Sequence, residues 1–150
     1  MNPTAGNRCA LVLVVLILIT ASASVAKAPE LPNPVAVFVG VKIIESGGKQ
    51  FTRYTYDIQN KEAYPAELFA PAPALPPCGQ NKNAARTWVD LYEQNGKRLN
   101  GFCAINKLED LNNLWFSLES GATPPSWIYI ELTDRQSGKK YKSNLVETTL

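Results

Sequence analysis

The chain has 150 residues, a length that argues for one domain, and its 15 Lys and Arg nearly balance 13 Asp and Glu, for a formal net charge of +2. The charges are scattered with no basic stripe, so nucleic acid is not an expected partner. Histidine is absent, which removes Ser-His and Cys-His nucleophile systems, histidine general bases and most zinc sites; neither a cofactor nor a metal site is expected.

The N-terminal segment reads as an export signal. Arg8 precedes the apolar run ALVLVVLILITA (10–21), and small residues follow in Ala21-Ser22-Ala23 and Val25-Ala26-Lys27-Ala28. Positive, apolar and small residues in that order make a secretory signal peptide. Residues 1–23 are expected to be removed, with cleavage as late as 28. The competing reading is an uncleaved anchor, the one way this chain would hold a membrane. A span needs about 20 apolar residues, and the run reaches that length only with its Ala/Ser tail. Cys9 lies ahead of the apolar run, where it cannot be a lipid-modified cysteine at a cleavage site. Export implies a secreted or periplasmic location.

Residues 24–34, with PELPNP, form a proline-containing lead-in, and 35–150 form the folded domain. VAVFVGVKII (35–44) reads as a strand with Val35, Val37, Val39, Val41 and Ile43 on one face at period two. ESGGK turns, and FTRYTYDIQN (51–60) is a second strand. Tyr54, Tyr56 and Ile58 point one way, Arg53, Thr55 and Asp57 the other, as in an antiparallel sheet with one wet face. Residues 60–84 have no regular pattern, and a connection of that length needs something to hold it down. Within it lie Pro71, Pro73, Pro76 and Pro77, directly ahead of Cys78.

RTWVDLYEQNGKRLNGFCAI (86–105) carries the strongest local signal. Asn95-Gly96 between two apolar-rich runs predicts a two-residue type I′ hairpin turn. That register sets Tyr92 opposite Leu99, Val89 opposite Phe102 and Trp88 opposite Cys103. One face then holds Trp88, Tyr92, Leu99, Cys103 and Ile105, the other Val89, Leu91, Phe102 and Ala104, which predicts a central hairpin covered on both sides. NKLEDLNNL (106–114) predicts a short helix, with Asn106 as N-cap and Glu109 completing a capping box. A further strand falls near LWFSL. SWIYIELTD (126–134) alternates cleanly, with Ile128, Ile130 and Leu132 inward and Trp127, Tyr129, Glu131 and Thr133 outward. KYKSNLV (140–146) is the last strand, with Tyr141, Ser143 and Leu145 on one side. The expected fold is an all-β, immunoglobulin-like antiparallel β-sandwich of about seven strands with one short helix; a small barrel is the alternative.

Beyond the signal the chain has two cysteines, Cys78 and Cys103. In an exported protein an isolated pair is expected to form a disulfide, about 3–4 kcal/mol in the loop-entropy model; two buried thiols are the alternative. Cys103 shares a predicted face with Trp88. The bridge would therefore staple the proline segment across that face as a polyproline-like strap, with Phe69 and Leu75 packing down.

Acid–base chemistry would have to run on carboxylates, and Asp57, Asp90, Glu131 and Asp134 are the candidates for a small hydrolase. Asp90 is predicted on a covered face and needs Arg86 or Arg98 as its partner. Trp127 and Tyr129, alternating outward after Pro124-Pro125, are the candidate binding residues for a protein or carbohydrate partner.

CGxNxNAxRTWVDxY, NGKRLxGFCA, DLxxLWF and PPxxxYIELTDRxxxKKYKSNL together resemble a family of small exported bacterial proteins of unassigned function, over roughly residues 35–146. The resemblance implies no activity and transfers no site. A looser likeness is to chagasin-type cysteine-protease inhibitors, small exported immunoglobulin-like domains; Asn2-Pro3-Thr4-Ala5-Gly6 echoes their NPTTG loop but lies within the signal. The functional expectation is an exported non-catalytic binding or accessory module. An inhibitor-like domain is second and would need exposed, mobile loops at one end, such as 45–50 and 119–125; a carboxylate hydrolase is third.

Overall fold

The computed structural model describes residues 30–149. The expected signal peptide (1–23, with cleavage as late as 28) lies outside the described residues, as does the lead-in up to residue 29.

The chain folds as an all-β sandwich of two antiparallel sheets. The first holds β1 (Ala36–Ser46), β2 (Lys49–Ile58) and β5 (Leu114–Glu119) in the order β1-β2-β5. The second holds β3 (Thr87–Glu93), β4 (Arg98–Phe102), β6 (Trp127–Asp134) and β7 (Lys140–Lys142) in the order β4-β3-β6-β7, and β8 (Val146–Glu147) continues along β6. The core lies between their inner faces. Tyr54, Tyr56, Ile58, Leu114 and Phe116 meet Val89, Leu91, Ile128, Ile130 and Leu132. The Tyr54 and Phe116 rings stack at 4.9 Å between centroids. Three short 3-10 helices, Lys61–Ala63, Ala66–Phe69 and Leu108–Asn112, replace the single predicted helix.

The face predicted for β1 is split. Phe38 pairs with Tyr56 but Gly40 with Thr55, so Val39 is an extra residue on β1. An inserted residue flips every later side chain to the other face. Val37 therefore lies opposite Asp57, on the outer face, while Val41 lies opposite Tyr54, on the inner one. The inner face there runs past the other sheet, which leaves Val41 exposed and Ile43 62% exposed.

The β3–β4 turn also differs from expectation. Glu93 N–H donates to the Lys97 carbonyl and Gly96 N–H to that of Glu93, each at 2.8 Å, closing a three-residue loop of Gln94, Asn95 and Gly96. Only Gly96 takes positive φ, at 89°, so the two positive-φ positions of a type I′ turn are not both filled. A second irregularity at Leu99 restores the register, and Val89 still faces Phe102. Tyr92 faces Arg98 instead of Leu99, and Leu99 packs against the core, away from the Trp88 face. Trp88 and Cys103 lie beyond the β3–β4 ladder but line the same small recess. The hairpin is not central, because β4 is an edge.

The 106–114 segment is capped differently from the predicted box. The Asp110 carboxylate accepts the Asn106 N–H at 2.9 Å, and Leu111 fills the core. In the last strand Lys142 pairs with Glu131 and Val146 with Ile128, again with one residue too many between them. Tyr141 and Ser143 are buried as a pair, whereas Leu145 turns out to solvent and Val146 replaces it inside. Asn144, in that interruption, accepts the Ala36 N–H at 2.9 Å and donates to its carbonyl at 3.1 Å, joining the two sheets at their edges.

The proline segment does not cross the Trp88 face. Pro71 bridges Ala85, Ala72 N–H donates to the Ala84 carbonyl, and Arg86 N–H donates to that of Ala70, both at 3.0 Å. The segment thus runs beside the entry to β3, where Ala70 and Ala72, the neighbours of Pro71, supply the carbonyl and the N–H group. Phe69 is buried as expected and Leu75 is half-buried. Cys78 and Cys103 form a disulfide, with Cα atoms 6.1 Å apart, that ties the loop to the end of β4. Arg135 adds a second tie by donating to the carbonyls of Ala85, at 3.2 Å, and Pro76.

Candidate functional site

Register on the five-stranded sheet decides which side chains share its outer face. Trp88, Asp90 and Tyr92 of β3 stand opposite Thr133, Glu131 and Tyr129 of β6. Like charges directly opposite one another are unfavourable, and Asp90 and Glu131 are such a pair. Flanking cations offset it: Arg98 Nε donates to Asp90 at 2.7 Å and Lys140 Nζ to Glu131 at 2.8 Å. The Arg98–Asp90 contact passes directly over Gly101. A Cβ built there would lie 1.7 Å from the guanidinium and 2.3 Å from the carboxylate, so any larger residue would displace the pair. Arg86, the other expected partner, does not reach Asp90.

The aromatic rings of this face are covered by neighbouring side chains. Tyr92 stacks on Tyr129 at 5.2 Å. Lys142 Nζ lies 3.7 Å from the centre of the Tyr129 ring, and the Arg135 guanidinium 4.3 Å from that of Trp88. Tyr129 faces outward as predicted but is only 9% exposed. Burial and the adjacent Asp90 and Glu131 carboxylates raise the Tyr92 pKa.

Trp127, two residues earlier on the same face, is different. It is 40% exposed, whereas every other aromatic residue among those described is buried or half-buried. It lines a shallow cleft of about 330 Å³ with Glu93, Gln94, Asn95, Pro125 and Ser126. The walls are fixed. Gln94 N–H donates to the Trp127 carbonyl at 3.0 Å, which locks the β3–β4 turn to the start of β6. Asn95 Nδ2 and Lys97 Nζ donate to the Glu93 carboxylate at 3.1 and 3.0 Å, and Asn95 Oδ1 accepts the Lys97 N–H at 2.9 Å. On the far side Thr148 N–H donates to the Ser126 carbonyl at 3.1 Å and its hydroxyl to that of Pro125. The Gln94 side-chain amide makes no hydrogen bond among the described residues. Trp127 was legible in the sequence as an outward residue, but the polar residues lining the cleft with it were not, because Glu93, Gln94 and Asn95 come from a turn about thirty positions away.

Of the four candidate carboxylates only Asp90 and Glu131 are neighbours, directly opposite on the sheet face and each held in an ion pair. Asp134 lies at the opposite end of β6 and is 4% exposed. It accepts two bonds from Arg86, at 2.8 and 2.7 Å, together with the Gln136 N–H and the Ser137 hydroxyl. The Arg86 guanidinium and these donors hold its carboxyl well below the usual range. This pair lines a cleft of about 480 Å³ whose walls include Leu31, Leu68, Lys139 and Tyr141. Asp57 is on the outer face of the other sheet, and burial raises its pKa against the pull of Lys61. No group of three or more His, Cys, Asp or Glu side chains among the described residues could hold a metal ion.

The β5–β6 loop links the Trp127 cleft to the β1–β2 turn. At its start Ser120 N–H donates to the Gln50 carbonyl at 3.0 Å, and Lys49 pairs with Glu119 at 2.6 Å. The loops 45–50 and 119–125 are thus side by side and pinned to each other. Among the described residues no helix is long and apolar enough to cross a membrane. Compared with protein-family models, curated proteins and solved structures, the chain matches none.

Proposed function

We propose that this protein is an exported, non-catalytic binding module that engages its partner through the Trp127 end of the sandwich. The exposed indole of Trp127, set in a cleft whose walls are hydrogen-bonded in place, carries the proposal. A partly bare indole forgoes about 25 cal/mol for every Å² of apolar surface it leaves in water. On this sheet the other rings are buried or half-buried under neighbours. Strand orders β1-β2-β5 and β4-β3-β6-β7 support an immunoglobulin-like connectivity, a scaffold that presents binding loops at its ends. The disulfide fits an oxidising compartment, secreted or periplasmic.

The test is capture from the protein's own extracellular or periplasmic fraction, with the wild type and Trp127→Ser side by side. The variant should keep its melting temperature within a few degrees and lose the captured partner. Equal capture by both proteins would move the contact surface elsewhere.

The inhibitor-like reading is the alternative; it calls for mobile loops at 45–50 and 119–125, and the Ser120–Gln50 hydrogen bond and Lys49–Glu119 ion pair that tie these loops together weigh against it. Titration against papain-class proteases decides it: stoichiometric inhibition that survives Trp127→Ser would favour those loops over the cleft.

A further inference from the structure

We infer that the ligand of the Trp127 cleft is an uncharged saccharide chain. The inference rests on the binding reading above and adds the chemistry of the ligand. Three features of the cleft select it. The first is the indole face, a flat apolar platform beside Pro125. A pyranose ring presents a matching flat patch of C–H groups, and C–H bonds are drawn to the negative face of an aromatic ring. The second is the polar rim. Gln94 and Asn95 amides, the Glu93 carboxylate and the Ser126 hydroxyl mix donors and acceptors around one aromatic residue. Adjacent hydroxyls on a sugar need that mixture, since each both donates and accepts. An apolar peptide would leave the Gln94 amide and the Ser126 hydroxyl without partners, at a cost to affinity.

The third feature is charge. The one ionised group in the lining is Glu93, and Lys97 and Asn95 already neutralise and hydrogen-bond it. The lining includes no cation, so phosphate, nucleic acid and sulfated chains have no counter-charge there. The rim is also ordered before the ligand arrives. Glu93 and Asn95 are fixed by the turn, and Gln94 is anchored through its backbone while its amide stays free. Pre-ordering removes part of the entropic cost of binding. Beyond Trp127 the same face continues to the Tyr92–Tyr129 stack, two residues further along β6. A chain lying along the strand would place its next ring against the exposed part of Tyr92, so an extended, β-linked oligomer fits better than a coiled one.

The experiment titrates the whole protein with cellohexaose, chitohexaose, maltohexaose and a heparin hexasaccharide, following tryptophan fluorescence and calorimetric heat. At least one of the two β-linked neutral hexasaccharides should bind saturably and change the fluorescence. Trp127→Ala should weaken that binding about tenfold or more, and Trp127→Phe should restore part of it. Binding of heparin alone would overturn the inference, as would affinities weaker than about 1 mM for all three neutral chains. Failure here with Trp127-dependent capture still intact would leave the binding reading standing with another ligand class. Loss of both would end it.

Discussion

β1 and β6 look alike as sequence and behave oppositely in the fold. Each alternates large apolar residues with others over eight or more positions. In β6 the alternation survives intact: Ile128, Ile130 and Leu132 are buried and every second residue faces out. In β1 the row of odd-numbered apolar residues ends on two faces, and its distal half, Val41 and Ile43, stands in solvent. The difference is position. β6 is paired on both sides, by β3 and by β7 and β8, so its register is over-determined. β1 is an edge with one sheet neighbour, so an extra residue at Val39 costs only a local interruption. Period two reports which residues share a face only while the ladder stays regular.

The largest expected effect lies in β6. Ile130→Ala should cost about 2–5 kcal/mol, because the fully buried side chain leaves a cavity between the sheets. Chemical denaturation measures it, and a loss below about 1 kcal/mol would mean that the inward row of β6 is not the core.

The second effect is at the end of the same strand. Asp134→Asn should cost about 1–3 kcal/mol near neutral pH by replacing charge-assisted bonds to Arg86. Its pH dependence has a definite sign. The folded carboxyl is held below its unfolded value of about 4. Its contribution is therefore complete above that value and declines as pH falls below it. Wild type and variant should converge in stability as the pH is lowered from about 5 towards 2. A constant difference across that range would show that Asp134 is not titrating against Arg86.

A third variant sharpens the comparison at its source. Deleting Val39 removes the extra residue while leaving Ala36, Phe38, Val41 and Ile43 on the inner face. The deletion should be tolerated within about 1 kcal/mol, with amide spectra changing around β1 and little elsewhere. Global unfolding would mean that the bulge holds the register of the whole sheet. The smallest effect belongs to Ile43→Thr, expected within about 0.5 kcal/mol because the side chain is already in water. A loss comparable to that of Ile130→Ala would place Ile43 against a surface that covers it in solution.

Some features were legible without the fold. The sandwich class, the inward row of β6, the facing of Val89 by Phe102 and the Cys78–Cys103 bridge all follow from local pattern or from a count of cysteines. The type of the β3–β4 turn was not, because Asn-Gly suits either turn when only the glycine needs positive φ. Nor was the pairing of Asp134, whose partner Arg86 lies 48 positions away, nor the room that Gly101, lacking a Cβ, leaves for the Arg98 guanidinium passing over it. Trp127 was found as an outward aromatic, but only packing separated it from Tyr129.

The sequence by itself determined the alternation of apolar residues, the turns and the pair of cysteines, and hence an antiparallel sandwich. These are short-range quantities: a strand's period, a glycine's φ and the number of available thiols act within a few residues or by counting. Only the tertiary structure decided which rings are bare, where the edge strands carry an extra residue, and which carboxylates meet a cation. Those outcomes depend on what a neighbouring strand brings to the same face. Tyr129 is covered because β3 places Tyr92 beside it and β7 reaches over it with Lys142, while Trp127 lies beyond both and keeps its ring open to the cleft.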